Sequence, residues 1–143
     1  MIKKVFLAIL LLGTADASAN KSDDTFQRCM ANTLEMSEQT RCIQNRTKDF
    51  MQELKVAYEK LAATQRFSGW NKSLDMKSGN LRAMYEDWLK FRERYCSYYT
   101  LIMTEEMHSS EYNNAQCMLD LTRTHAMDMQ NLLTMSNSTM YDI

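Results

Sequence analysis

Between residues 38 and 65, apolar side chains recur at Ile43, Phe50, Leu54, Ala57 and Leu61, at steps of 7, 4, 3 and 4. That spacing lines them along one face of a helix, with Cys42 and Tyr58 beside the stripe and Ser37 placed to cap its start. A second long helix is predicted over 80–107, where Leu81, Met84, Trp88, Phe91, Tyr95, Tyr99 and Ile102 follow one another at 3- and 4-residue steps. A further helix opens at Ser109 or Ser110 and carries Ala115, Met118, Leu121, His125, Met129 and Leu132 along one side. A shorter one over 22–34, capped by Ser22 or Asp23, sets Phe26, Cys29 and Met30 together. Polar stretches separate these segments: a turn at 36–39, a loop over 66–79 containing Gly69, Trp70 and Gly79, and a frayed tail after Met135.

Ahead of this pattern, Lys3 and Lys4 precede an unbroken apolar run from Val5 to Leu12, followed by Ala17-Ser18-Ala19. A positive start, a short apolar core and a small-x-small site are the layout of a secretory signal peptide, and the run is too short to span a bilayer. Residues 1–19 are expected to be removed, leaving a single helical domain over 20–143 that begins near Asn20. No cysteine stands at that start, which argues against a lipid anchor. Lysine without arginine in the leader points to a bacterial source, and so to a periplasmic or secreted protein.

Composition agrees with helices. The chain has no proline and three glycines, too few for the tight turns of a sandwich or barrel. Stretches rich in Met, Leu, Lys, Glu, Gln and Ala favour helix, and the expected fold class is all-α: a small disulfide-braced bundle of three to four helices. Charge is nearly balanced, with 17 basic and 18 acidic residues; without Lys3, Lys4 and Asp16 the remainder is 15 and 17. No basic face invites nucleic acid. Beyond the leader, no apolar run approaches membrane-spanning length.

Four cysteines, Cys29, Cys42, Cys96 and Cys117, in an oxidising compartment read as two disulfides, with three possible connectivities. Residues 13 apart on one continuous helix stand about 20 Å from each other. A disulfide brings the alpha carbons within about 7 Å, so pairing neighbours in sequence requires a chain reversal between them. The turn at 36–39 and the Ser109-Ser110 break supply one each, which favours Cys29–Cys42 and Cys96–Cys117. Each bond is worth about 3 kcal/mol through its restriction of the unfolded chain.

The densest motif runs Trp88-Leu89-Lys90-Phe91-Arg92-Glu93-Arg94-Tyr95-Cys96, followed later by Cys117-Met118-Leu119-Asp120-Leu121-Thr122-Arg123. In these residues the chain resembles the LprI-like lysozyme-inhibitor domain family, small exported bacterial helical domains. That family carries a Trp-x-x-x-Arg-(Asp/Glu)-x-x-Cys segment, matched here by Trp88, Arg92, Glu93 and Cys96. A later cysteine and a Thr-Arg-x-Arg-x-x-x-Leu segment are matched by Cys117, Thr122, Arg123 and Met129. The resemblance extends loosely back through Leu61, Tyr58, Leu54 and Glu38–Cys42 to Cys29, and covers roughly residues 29–132. There are two departures: His125 stands where the family commonly has arginine, and a glycine-rich stretch between the last two cysteines is missing. The resemblance implies a protein partner, a lysozyme or other peptidoglycan hydrolase, inhibited by steric blockade of its cleft.

The residues also carry a reading of their own. Trp88 and Arg92 lie four apart on one helical face. Trp88 reads as core rather than as a binding hot spot. Arg92 is placed to stack on a ring or to pair with an acid of a neighbouring helix, and Glu93 and Arg123 are candidates for an interhelical ion pair. Glu105, Glu106, His108 and Glu111, between the last two cysteines, form the candidate partner-binding surface. An acidic, disulfide-braced segment there would steer towards a cationic cleft; its plain alternative is a solvated helix end. Thirteen methionines, with His125, Met127 and Met129 close together, raise the idea of a copper carrier. Alternate helical spacing points those three side chains apart, methionine is a common core filler, and no Cys-x-x-Cys pair offers zinc a site. No metal, cofactor or catalytic residue is assigned, for no nucleophile–base or phosphate-binding motif occurs. The expected function is therefore non-enzymatic inhibition of a lysozyme-type hydrolase. The alternatives are a periplasmic immunity protein against a peptidoglycan-degrading toxin, an envelope adaptor and a Met-rich metal carrier.

Overall fold

The computed structural model describes residues 15–63, 78–103 and 109–138. Among them are four helices and no strand: α1 (Ala15–Ala31), α2 (Met36–Ala63), α3 (Ser78–Met103) and α4 (Ser110–Ser138). No described helix is long and apolar enough to cross a membrane.

The centre of the bundle is α2 against α4. The whole α2 stripe is buried, Ile43, Phe50, Leu54, Ala57 and Leu61, together with Cys42 and Tyr58. α4 answers with Ala115, Leu119, Thr122, Ala126, Met129 and Leu133. Their alternating 4- and 3-residue steps are those of a heptad seam, which lets two helices mesh along their length. α3 packs mainly on α4, and α1 rests on α2.

Several boundaries differ from the sequence expectations. α1 starts at Ala15, within the segment expected to be removed, where three alanines (Ala15, Ala17 and Ala19) favour helix. Ser22 and Asp23 are therefore interior to α1 and do not cap it. The first reversal falls at 32–35 rather than 36–39. There Thr33 Oγ1 accepts from the Glu35 amide at 3.2 Å, and the Gln39 side chain donates to the Thr33 carbonyl at 3.2 Å. Glu35, not Ser37, precedes α2, and its carbonyl accepts from the Gln39 amide at 3.0 Å. Of the loop expected over 66–79, residues 78 and 79 open α3 and the rest lie outside the described residues. Ser109 caps α4, its hydroxyl accepting from the Tyr112 amide at 3.2 Å, and α4 stays helical to Ser138, past the expected fraying point.

Two helical faces are rotated from their expected positions. On α3 only Leu81 of the seven-residue stripe is buried and Trp88 is half-buried, whereas Met84, Phe91, Tyr95, Tyr99 and Ile102 are exposed. The inward face is Leu81, Tyr85, Trp88, Arg92 and Cys96. On α4, Met118, Leu121 and His125 are half-buried and Leu132 is exposed, while Leu119, Ala126 and Leu133 take the seam. The physical reason is shared. Hydropathy counts Tyr85, Arg92 and Thr122 as surface residues, yet these are the side chains with partners in the interior.

Cys29 is bonded to Cys42 and Cys96 to Cys117, with alpha carbons 5.9 and 5.6 Å apart. One bond ties α1 to α2 and the other α3 to α4. α1 is held a second time by Arg46 of α2, whose side chain is only 4% exposed. Its guanidinium donates to Asp23 Oδ1 and to Ser22 Oγ, each at 2.6 Å, and lies 3.8 Å over the Phe50 ring. Ser22 in turn donates to Asp49 Oδ2 at 2.7 Å, so Arg46 sits within a closed polar set bridging the two helices.

Removing that cation while leaving its partners costs more than removing an exposed charge. Urea unfolding of Arg46→Ala is expected to show a loss of about 3 kcal/mol. Arg46→Met, which keeps the stem over Phe50, is expected to lose less than half as much.

Candidate functional site

The inward face of α3 and the middle of α4 bring most of the motif residues to one place. Arg92 Nη1 donates to Thr122 Oγ1 at 2.9 Å and lies 2.8 Å from Met51 Sδ of α2. Thr122 is fully buried and passes its own proton to the Met118 carbonyl at 2.6 Å, which leaves its oxygen free to accept from Arg92. The Arg92 guanidinium stands 5.2 Å from the Trp88 ring. The other face of the cluster is aromatic: Trp88 stacks on His125 at 4.4 Å, and the His125 Nε2 shares a 2.9 Å hydrogen bond with the Tyr58 hydroxyl. Tyr85 closes against Tyr58 at 5.1 Å between ring centres. One cluster thus joins α2, α3 and α4.

Its electrostatics follow from burial. Burial holds the His125 imidazole below its ordinary value, with Asp128 as the opposing charge, so the neutral ring is favoured in the folded protein at neutral pH. Burial likewise pushes the Tyr58 and Tyr85 phenols up, and both remain protonated. Arg92 is lowered by desolvation, with Glu93 as the main opposing charge. It stays a cation. Its neighbours are a hydroxyl, a thioether and a ring, and its buried Nε has no acceptor among the described residues. Of the two roles open to Arg92, the structure selects ring stacking with a neutral acceptor over an interhelical acid.

Glu93 and Arg123 do not meet. Glu93 is exposed on α3, and Arg123 pairs with Asp120 of its own helix at 3.6 Å. The sequence neighbours of Arg92 and Thr122 therefore face solvent, because a one-residue step on a helix turns the side chain by about 100°. His125, Met127 and Met129 also diverge: His125 lies against Trp88, Met129 is buried in the seam and Met127 is exposed. Among the described residues no three His, Cys, Asp or Glu side chains converge on a metal position.

Beside the cluster, near the Cys96–Cys117 bond, a polar groove of about 770 Å³ opens between α2, α3 and α4. Thr47 and Lys48 form one wall, Ser97 and Thr100 another, and Glu111 and Asn114 a third, with Arg92 reaching its lining. Asn114 Nδ2 donates to Thr100 Oγ1 at 3.4 Å and fixes the distance between two walls. Hydroxyls, amides and charges of both signs suit recognition by hydrogen bonding. Glu111 is exposed in the first turn of α4; Glu105, Glu106 and His108 lie outside the described residues. The groove itself and Arg46 escape sequence reasoning, since each depends on helices far apart in the chain. The only local sign of Arg46 is a lone cation within an apolar stripe.

The family whose profile matches the chain is described as Lysozyme inhibitor LprI, and the match covers residues 29–128. No curated protein matches the chain, and no solved structure does.

Two measurements probe the cluster. Thr122→Val keeps the shape and removes the acceptor, so chemical unfolding is expected to show a loss of about 2 kcal/mol. For His125 the sign is set by a folded-state value below that of the unfolded chain. The unfolded state binds the extra proton first, so stability is full above about pH 6.5 and declines as pH falls below it. His125→Gln is expected to flatten that decline in urea melts between neutral and mildly acidic pH.

Proposed function

Because the chain belongs to the lysozyme inhibitor LprI family, we propose that it is an exported bacterial protein that blocks a lysozyme-type cell-wall hydrolase. The family match carries this reading: it starts at Cys29 and ends at Asp128, and so takes in all four cysteines and the Trp88–Arg92–Thr122–His125 cluster. In this reading residues 1–19 direct export and are then removed, and oxidation outside the cytoplasm closes the two disulfides. Inhibition needs no chemistry from this chain, because filling the cleft of the hydrolase is sufficient.

The contact surface is assigned to Glu105, Glu106, His108 and Glu111. Exposed Glu111 stands at the mouth of the polar groove, and the Cys96–Cys117 bond holds the start of α4 against α3. Carboxylates on that surface attract a cationic cleft from a distance and set the register of docking. The cluster beneath acts as scaffold. Arg92 and Trp88 keep α3 and α4 in fixed relation, which limits the entropy lost when the surface binds.

A turbidity assay on cell walls tests this directly. Mature protein titrated into several lysozymes is expected to slow lysis in a saturable manner, and no slowing at large molar excess would remove the proposal. Glu105→Lys, Glu106→Lys and Glu111→Lys together are expected to weaken inhibition by at least about tenfold, through lost attraction and new repulsion. Raising salt from low to physiological strength should weaken the wild type more than this variant.

A further inference from the structure

The outer face of α3 carries a run of exposed apolar side chains. Met84, Phe91, Tyr95, Tyr98 and Ile102 are between 48% and 75% exposed, at steps of 7, 4, 3 and 4 residues. Those are the core positions of a heptad repeat, and they span about 27 Å of helix at 1.5 Å per residue. A stripe of this kind is built to receive another helix. Among the described residues no helix lies on it, since α2 and α4 mesh with each other and α1 lies on α2. Phe91 and Tyr95, 5.7 Å apart between ring centres, bound a shallow groove with Tyr98, Asp87, Lys90 and Arg94.

The charges beside the stripe say which helix fits. Asp87 and Arg94 are seven residues apart on the same flank, with Phe91 between them. A two-fold axis near Phe91 that runs α3 antiparallel to its copy brings Asp87 of each chain opposite Arg94 of the other. It also brings Met84 to within one residue of Tyr98 across the axis, and the two Phe91 side chains to within one residue of each other. Arg94 has no ion-pair partner among the described residues, and Asp87 has only the exposed Lys90 at 3.4 Å. A parallel arrangement would place Asp87 beside the partner's Arg92, which is already turned into its own bundle against Thr122.

We propose that α3 is a self-complementary interface and that the protein forms a two-fold symmetric dimer through antiparallel α3 helices, with reciprocal Asp87–Arg94 pairs. The stripe residues are not among those that line the groove beside Glu111, so the groove stays open in each subunit of the dimer.

Sedimentation equilibrium of the mature, oxidised protein from micromolar to near-millimolar concentration tests the proposal, with circular dichroism run on every variant. The wild type is expected to dimerise. Phe91→Glu alters an exposed side chain, so native helicity is expected, with a dimer dissociation constant raised at least tenfold. Asp87→Arg alone and Arg94→Asp alone should each weaken association severalfold by setting like charges together. The double reversal Asp87→Arg, Arg94→Asp should restore association to near wild type, which no merely structural effect would do. A wild type that is monomeric throughout the range overturns the proposal. So does a dimer that persists in natively helical Phe91→Glu, or a double reversal no better than the single ones. Loss of lysozyme inhibition in Phe91→Glu alongside a monomeric wild type would give this face to the hydrolase instead, and would equally overturn it.

Discussion

The seam between α2 and α4 holds most of the buried apolar side chains, and the other two helices depend on being fastened to it. Neither brings much apolar surface to it: residues 21–31 of α1 contain no deeply buried side chain, and α3 presents one deeply buried aliphatic side chain, Leu81. Each is secured by the same pair of devices. A disulfide joins it to a central helix, Cys29–Cys42 for α1 and Cys96–Cys117 for α3. An arginine lying against an aromatic ring then spans the same gap, Arg46 on Phe50 in one case and Arg92 on Trp88 in the other. The sulfur bond fixes one point, and the guanidinium, with several donors in a rigid plane, fixes the rotation about it.

The two arginines differ in how their charge is answered. Arg46 is matched by carboxylates of Asp23 and Asp49 that keep much of their contact with solvent, so its charge is answered locally. Arg92 meets only neutral groups, and part of its side chain lines the polar groove. A half-buried cation without a carboxylate costs stability. Its retention in the middle of the α3–α4 contact accords with a fold whose geometry serves a surface rather than its own maximum stability.

How far the sequence could be read depended on where polar groups end up. α2 was legible because its buried face is apolar from Ile43 to Leu61, and hydropathy and burial then coincide. The reversals demanded by the cysteine spacing were legible as well, apart from shifts of a few residues at the first turn. α3 and α4 were read partly out of phase: Leu81, Ala115 and Met129 are buried as expected, and most other positions of the two stripes lie one helical step away. Their interior faces contain Tyr85, Arg92, Thr122 and His125, whose partners lie 27 to 67 residues away in the chain. No local pattern reveals such pairing, and the exposed aromatics of α3 offered a more persuasive stripe. The motif residues pointed to the right place even so: Trp88, Arg92 and Thr122 meet, while Glu93 and Arg123 adjoin them only in sequence. Arg46 was passed over because its anchoring role appears only once α1 lies across it.

Both covalent links close between helices that follow each other directly, α1 with α2 and α3 with α4. The molecule is therefore two stapled hairpins, joined to each other by the continuous chain between α2 and α3, by packing and by polar contacts, with no disulfide between them. A single cut in the chain between Ala63 and Ser78 would leave two fragments whose cohesion varied with dilution, even with every sulfur still oxidised.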